Sequence, residues 1–144
     1  MKQEDKDLLL KDLCARLPYG VKCAYFNTKD EIKVGELLTV WCKEKRVFID
    51  KLSIDYDGGD HIGVIPCLFP LSSMTEEQDE ELKNIYYSYN GMFHYTERLF
   101  DRIPFSKMKY FPYQIEEFFN KNHIDYRGLI EKGLAIDATN KNIY

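Results

Sequence analysis

The sequence lacks most of the signatures by which small proteins declare their chemistry. Its four cysteines, Cys14, Cys23, Cys42 and Cys67, are spaced 9, 19 and 25 apart. There is no C-x-x-C, so they do not read as a zinc knuckle. No G-x-S-x-G and no glycine-rich phosphate loop occurs, which leaves serine hydrolysis and nucleotide hydrolysis without a motif. No apolar run approaches the length that crosses a bilayer. The opening MKQEDKDLLLKD has no continuous apolar stretch of the kind a signal peptide needs. These absences predict a cytoplasmic chain without membrane association, whose cysteines are small buried hydrophobes in a reducing compartment.

An excess of positive charge is also missing. The formal net charge is −4. Residues 1–71 hold 11 basic and 12 acidic side chains, and the remainder hold 9 and 12. Neither half offers a broad phosphate-tracking surface. What is abundant is aromatic: 11 Tyr and 9 Phe among 144 residues. Tyrosine in such number suits half-buried strands first and binding surfaces second.

The pattern along the chain predicts one α+β domain. Residues 4–17 read as a helix with Leu10, Leu13, Cys14 and Leu17 on one apolar stripe and Asp5, Asp7 and Asp12 on the other faces. Pro18 stops it and Gly20 turns the chain. A β-rich block follows over 19–69: YGVKCAYFNT, EIKVGELLTVWCKE, VFIDKLSIDY and IGVIPCLF, joined by NTKD, KEKR and DGGD. Gly35, inside the second segment, reads as a bulge or sharp bend. Short polar turns predict an antiparallel sheet of four or five strands, or a small barrel.

The block 70–137 reads as helical. Ser73 with Glu76, or Thr75 with Gln78, forms a capping box. Five of the six residues 76–81 are acidic. They suit a solvated first turn, with a docking surface as the alternative reading. Leu82, Ile85, Tyr86 and Tyr89 supply the packing stripe. Segment 88–113 is irregular and reads as an insertion. A helix over 112–122 buries Ile115, Phe118 and Phe119. In NHIDYRGLIEKGLAID (122–137), Asp125 caps a last helix, 126–132, which Gly133 closes, while Arg127 faces solvent. A catalytic corner of His123, Asp125 and Arg127 is the less favoured reading. The tail 138–144 is expected to fray.

Three constellations carry potential chemistry. DYDGGDH (55–61) resembles a calcium loop. Counting from Asp55, however, position 5 is Gly59 and position 12 is Pro66, so the pattern fails and a hairpin turn is the reading. His94, Glu97 and Asp101 share a face if 93–102 is helical, but no second ligand pair exists. Arg98, Arg102, Lys107, Lys109 and Tyr110, with Phe111 and Tyr113, interleave charge and rings as single-strand binders do.

Three stretches, LLLKDLCARLPYGVK (8–22), PLSSMTEEQDEEL (70–82) and FFNKNHIDYRGLIEKGLAID (118–137), resemble an uncharacterised family of short proteins from gut bacteria and their phages or mobile elements. The resemblance implies an accessory role and no catalytic residues. Two departures stand out. Phe118-Phe119-Asn120 takes the place of a Trp-Leu-Asn. Ile65 to Pro70 takes the place of a Lys-Pro-Tyr-Leu-Arg-Pro run, which removes two basic residues.

The expectation is an α+β protein with an N-terminal helix (1–18), a four- or five-stranded antiparallel sheet or small barrel, and two or three C-terminal helices. Its expected role is non-enzymatic, binding a protein partner without cofactor or metal. The alternatives are nucleic-acid binding through 98–113, and an enzyme or metal site around His94 and Glu97.

Overall fold

In the computed structural model the described residues are 1–26, 29, 31–55, 57–58, 61–90 and 113–144. His94, Glu97, Asp101, Arg98, Arg102, Lys107, Lys109 and Tyr110, with the rest of 91–112, lie outside them, while residues 88–90 and 113 of the expected insertion belong to helices.

Helix α1 spans Gln3–Arg16, and a 3-10 turn at Leu17–Tyr19 carries Pro18. Gly20 leaves the turn at φ +66°, a left-handed angle that favours glycine. The buried face of α1 is not the predicted stripe. Leu9, Asp12, Leu13 and Arg16 are buried, while Cys14 is exposed and Leu10 and Leu17 are half-buried. The stripe is rotated because Asp12 and Arg16, one helical turn apart, neutralise each other in the interior.

The strands are β1 (Lys22–Phe26), β2 (Ile32–Trp41), β3 (Arg46–Ile49), β4 (Leu52–Asp55), β5 (Asp57–Gly58), β6 (His61–Ile62) and β7 (Val64–Pro70). Two two-residue strands follow much later, β8 (Ile124–Asp125) and β9 (Ile136–Asp137). The main sheet runs β4-β3-β2-β1-β7-β8, with β9 also on β7, and β5 pairs β6 separately. Among the described residues the path is open, ending at β4 and β8. The sheet is mixed and larger than the expected antiparallel one. β8 and β9 run parallel to β7, with Phe69 opposite Ile124 and Cys67 opposite Ile136.

The segment 47–56 also folds as two strands, not one. Asp50 at φ +52° turns β3 back on β4, a conformation that aspartate tolerates better than most residues. The β2 bulge falls between Leu37 and Thr39, away from Gly35. Gly35 answers to a different constraint, since a Cβ there would collide with the Asp50 carboxylate.

Helix α2 covers Glu76–Asn90 and α3 covers Tyr113–Lys121. Thr75 and Gln78 form the capping box: the Gln78 N–H donates to Thr75 Oγ1 at 3.1 Å and the Thr75 N–H to Gln78 Oε1 at 3.0 Å. Ser73 instead donates to the Pro70 carbonyl. Asp79, inside the acidic run, is buried and ion-paired with Lys83 at 2.8 Å, so that run is not wholly solvated.

Residues 126–132 form turns where a helix was expected. Gly128 and Gly133 sit at φ +72° and +70° only five residues apart, which leaves no room for a helix between them. Asp125 still caps. Its two carboxylate oxygens accept the N–H groups of Leu129 at 2.9 Å and Ile130 at 2.8 Å.

The main core joins Leu9 and Leu13 of α1 to Val21, Leu37, Val47, Ile49, Leu68 and Leu129. A second core holds Met74, Leu82, Ile115, Phe118, Phe119, Ile124 and Tyr126. Arg16 stands between them, fully buried. Its guanidinium donates to Asp12 at 2.8 Å and to the carbonyls of Phe119 at 3.2 Å and Ile124 at 2.7 Å. Arg127 meets the other Asp12 oxygen at 2.7 Å and lies over the Tyr126 ring. It is therefore an interior ion-pair partner, and the expectation that it faces solvent is corrected.

The tail does not fray. Tyr144 Oη donates to the Cys67 carbonyl at 2.6 Å and accepts the Lys22 N–H at 3.1 Å. Ala138 is buried, and Ile143 packs beside Cys67. No helix among the described residues is long and apolar enough to cross a membrane.

Candidate interaction surface

One face of the sheet carries α1 and the main core. Among the described residues the other is covered by the C-terminal segment near β7, where Ile136, Ala138 and Ile143 pack on Cys67 and Ala24. Farther along, at β1 and β2, large apolar side chains stay in solvent. Ile32 is 66% exposed, Phe26 53%, Val34 47%, Leu38 47% and Trp41 43%.

Strand register places these side chains together. Phe26 lies opposite Ile32 and Ala24 opposite Val34, so Phe26, Ile32 and Val34 share one side. Leu37 is buried and Val40 packs against the core. The bulge between them therefore leaves both Leu38 and Thr39 outside. Trp41 continues the strip and meets Phe48 at 6.4 Å between ring centroids. The strip follows a ten-residue strand, about 30 Å at the usual rise.

Three ion pairs lie at or near its margins. Lys22 pairs with Glu36 at 3.0 Å, Lys33 with Glu31 at 3.5 Å, and Arg46 with Asp55 at 3.0 Å. These exposed pairs add little stability. Each pair places opposite charges together beside the apolar strip, which suits a protein surface better than a row of phosphates.

Among the described residues the strip also has an open edge. β3 pairs β2 only from Leu37 onward. On the side away from β1, no described strand pairs with Ile32–Glu36. The Leu37 N–H points to Val21 of the incoming chain. By alternation the peptide groups of Ile32 and Val34 point to the open side.

The remaining candidates disperse. His123, Asp125 and Arg127 have three separate jobs. His123 stands at φ +55° and stacks on Tyr144 with 4.3 Å between centroids. Burial, with Arg16 nearby, holds its imidazole down at about 4. Its Nδ1 is buried without a hydrogen-bond partner among the described residues. Asp125 caps, and Arg127 pairs with Asp12. Nothing brings the three to one reacting atom.

A cleft of about 260 Å³ opens between Ser73, Thr75, Gln78, Asn122 and Thr139. Its donors are neutral hydroxyls and amides, with no acid, base or nucleophile pair. Glu77, Glu80 and Glu81 line a groove of about 670 Å³ along α2, where the acidic docking reading would apply. Among the described residues no three His, Cys, Asp or Glu side chains could hold a metal ion together.

The apolar strip was not singled out from the sequence. Its residues read there as strand interior, and alternation does not say which face of a sheet is covered. No family model, curated protein or solved structure matches this chain.

Proposed function

We propose that the chain is a non-enzymatic protein-binding module, whose docking surface is the outer face of β1 and β2. The observation that carries this reading is the strip Phe26–Ile32–Val34–Leu38–Trp41, exposed beside the open edge of β2. Contiguous apolar surface on a folded domain marks an interaction site far more often than scattered hydrophobes do. The partner class is a protein presenting an extended apolar segment. Peptide groups at Ile32 and Val34 would extend the sheet onto it, while side chains on the outer face select it. The ion pairs beside the strip support a protein partner over a nucleic acid. A cytoplasmic location and an accessory role in a bacterium or mobile element belong to this proposal too, and they rest on the sequence and on the family resemblance.

The test is affinity capture from host lysate with nuclease and at two salt concentrations, using wild type, an Ile32→Lys/Val34→Lys double variant and the control Lys43→Ala. The expected result is a protein that survives nuclease and high salt, is kept by the control and falls at least about tenfold with the double variant. A partner held equally by all three would overturn the surface assignment. Recovery of nucleic acid alone, lost in high salt and lost by Lys107→Glu/Lys109→Glu, would replace the proposal with the reading built on 98–113.

A further inference from the structure

Two of the four cysteines do not behave as the buried hydrophobes the sequence suggests. Cys23 and Cys67 are fully buried, whereas Cys14 and Cys42 are exposed. The exposed two come from elements far apart in sequence, the last turn of α1 and the turn after β2. Their sulfurs stand only 4.0 Å apart across 28 residues of chain. We propose that Cys14 and Cys42 are a reversible disulfide site that fastens α1 to the end of β2 when the chain meets a peroxide.

The geometry supports this in three ways. A bond between the sulfurs needs about 2 Å of closure. Rotation about the two Cα–Cβ bonds is the motion that brings the sulfurs together. Both residues are exposed, so oxidant and reductant reach the site from solvent. The buried pair is shielded from both, so the response is confined to one site.

The chemistry balances with hydrogen peroxide as oxidant. One thiol takes an oxygen: the O–O bond breaks, an S–O bond forms and one water leaves. The second thiol then attacks that sulfur, the S–S bond forms, the S–O bond breaks and a second water leaves. Two thiols and one peroxide give one disulfide and two waters, and a dithiol reverses it. Burial, with the Cys42 sulfur beside it, pushes the Cys14 thiol up to about 11. Thiolate is the reacting form, so cross-linking is slow at neutral pH and faster in mildly alkaline buffer.

Closing the loop removes freedom from the unfolded chain, which raises the melting temperature by roughly 5–10 °C for a protein of this size. Cys42 directly follows Trp41, the one tryptophan in the sequence. A disulfide there quenches its fluorescence, so the state of the site is readable without a label. The clamp sits at one end of the apolar strip and stands whether or not that strip binds a partner.

The experiment titrates the full reduced chain with hydrogen peroxide near stoichiometry. Non-reducing peptide mapping, thiol counting, Trp41 fluorescence and thermal melts follow the reaction. The expected result is a Cys14–Cys42 cross-linked peptide within one chain, loss of two free thiols, quenched Trp41 and a higher melting temperature, all reversed by dithiothreitol. Cys14→Ser and Cys42→Ser each abolish the cross-link, and both fold because the sites are exposed. Separate oxidation of the two cysteines to sulfinic acid without a cross-link would overturn the proposal. So would a disulfide found only between chains.

Discussion

Asp12→Asn is the substitution on which the account of the interior depends most directly. Asp12 is fully buried and holds two guanidinium groups, Arg16 at 2.8 Å and Arg127 at 2.7 Å. Asparagine keeps the shape and removes the charge. Its amide oxygen accepts from one guanidinium only and its N–H₂ meets the other donor against donor, so the buried arginines lose their anion, and Arg16 keeps two peptide carbonyls and the Tyr126 ring. Glu116 lies 3.6 Å from Arg127 but does not face Arg16. Removing one partner of a buried ion pair costs about 3–5 kcal/mol, because the charge left behind has no water to solvate it. Against a total of about 5–15 kcal/mol that is a large share. The melting temperature should fall by roughly 6–20 °C. Urea unfolding gives the value directly, with an unchanged dependence on denaturant indicating that the loss belongs to the folded state. A loss below about 1 kcal/mol would refute the reasoning, since it would mean that water reaches Arg16. A double-mutant cycle of Asp12→Asn with Arg127→Gln should show the two effects to be coupled, not additive.

Three further outcomes are expected. His123 is held neutral, with its imidazole lowered from 6.5 to about 4. The unfolded chain therefore binds more protons in that window, and stability is lost as pH falls from 6.5 through 4. His123→Asn, which tolerates the positive φ, should flatten that slope in urea midpoints measured across the window. Thr75→Ala removes one half of the capping box and should cost about 1 kcal/mol in thermal or urea unfolding, with Ser73→Ala costing less because its hydroxyl only donates to a carbonyl. Tyr144→Phe deletes a hydroxyl that joins the Cys67 carbonyl to the Lys22 N–H, and should lower stability by about 1–2 kcal/mol in urea unfolding. An unchanged midpoint would show that the C-terminal residues do not hold the sheet.

What the sequence determined by itself is local. Pro18 and Gly20 end α1, and Thr75 with Gln78, one of the two capping boxes the sequence offered, starts α2; Asp125 caps and Gly133 takes a positive φ although the helix expected between them is absent, because each of these follows from a side chain and its own neighbouring backbone. Helix α3 was legible because Ile115, Phe118 and Phe119 repeat with the helical period. What was not legible needed contacts across the chain. Asp12 and Arg16 at i and i+4 have the spacing of an ordinary surface pair. Only Arg127 and the carbonyls of Phe119 and Ile124 turn that face of α1 inward. β8 and β9 are two residues each, too short for any periodicity, and exist because β7 offers them a parallel edge. The strip along β2 alternates like any strand; among the described residues the C-terminal segment covers the outer face at Cys67 and leaves Val34 exposed. The meeting of Cys14 and Cys42 is likewise a product of packing α1 beside β2. Local chemistry sets where elements begin and end; which faces stay in water is settled only when distant segments compete to cover them.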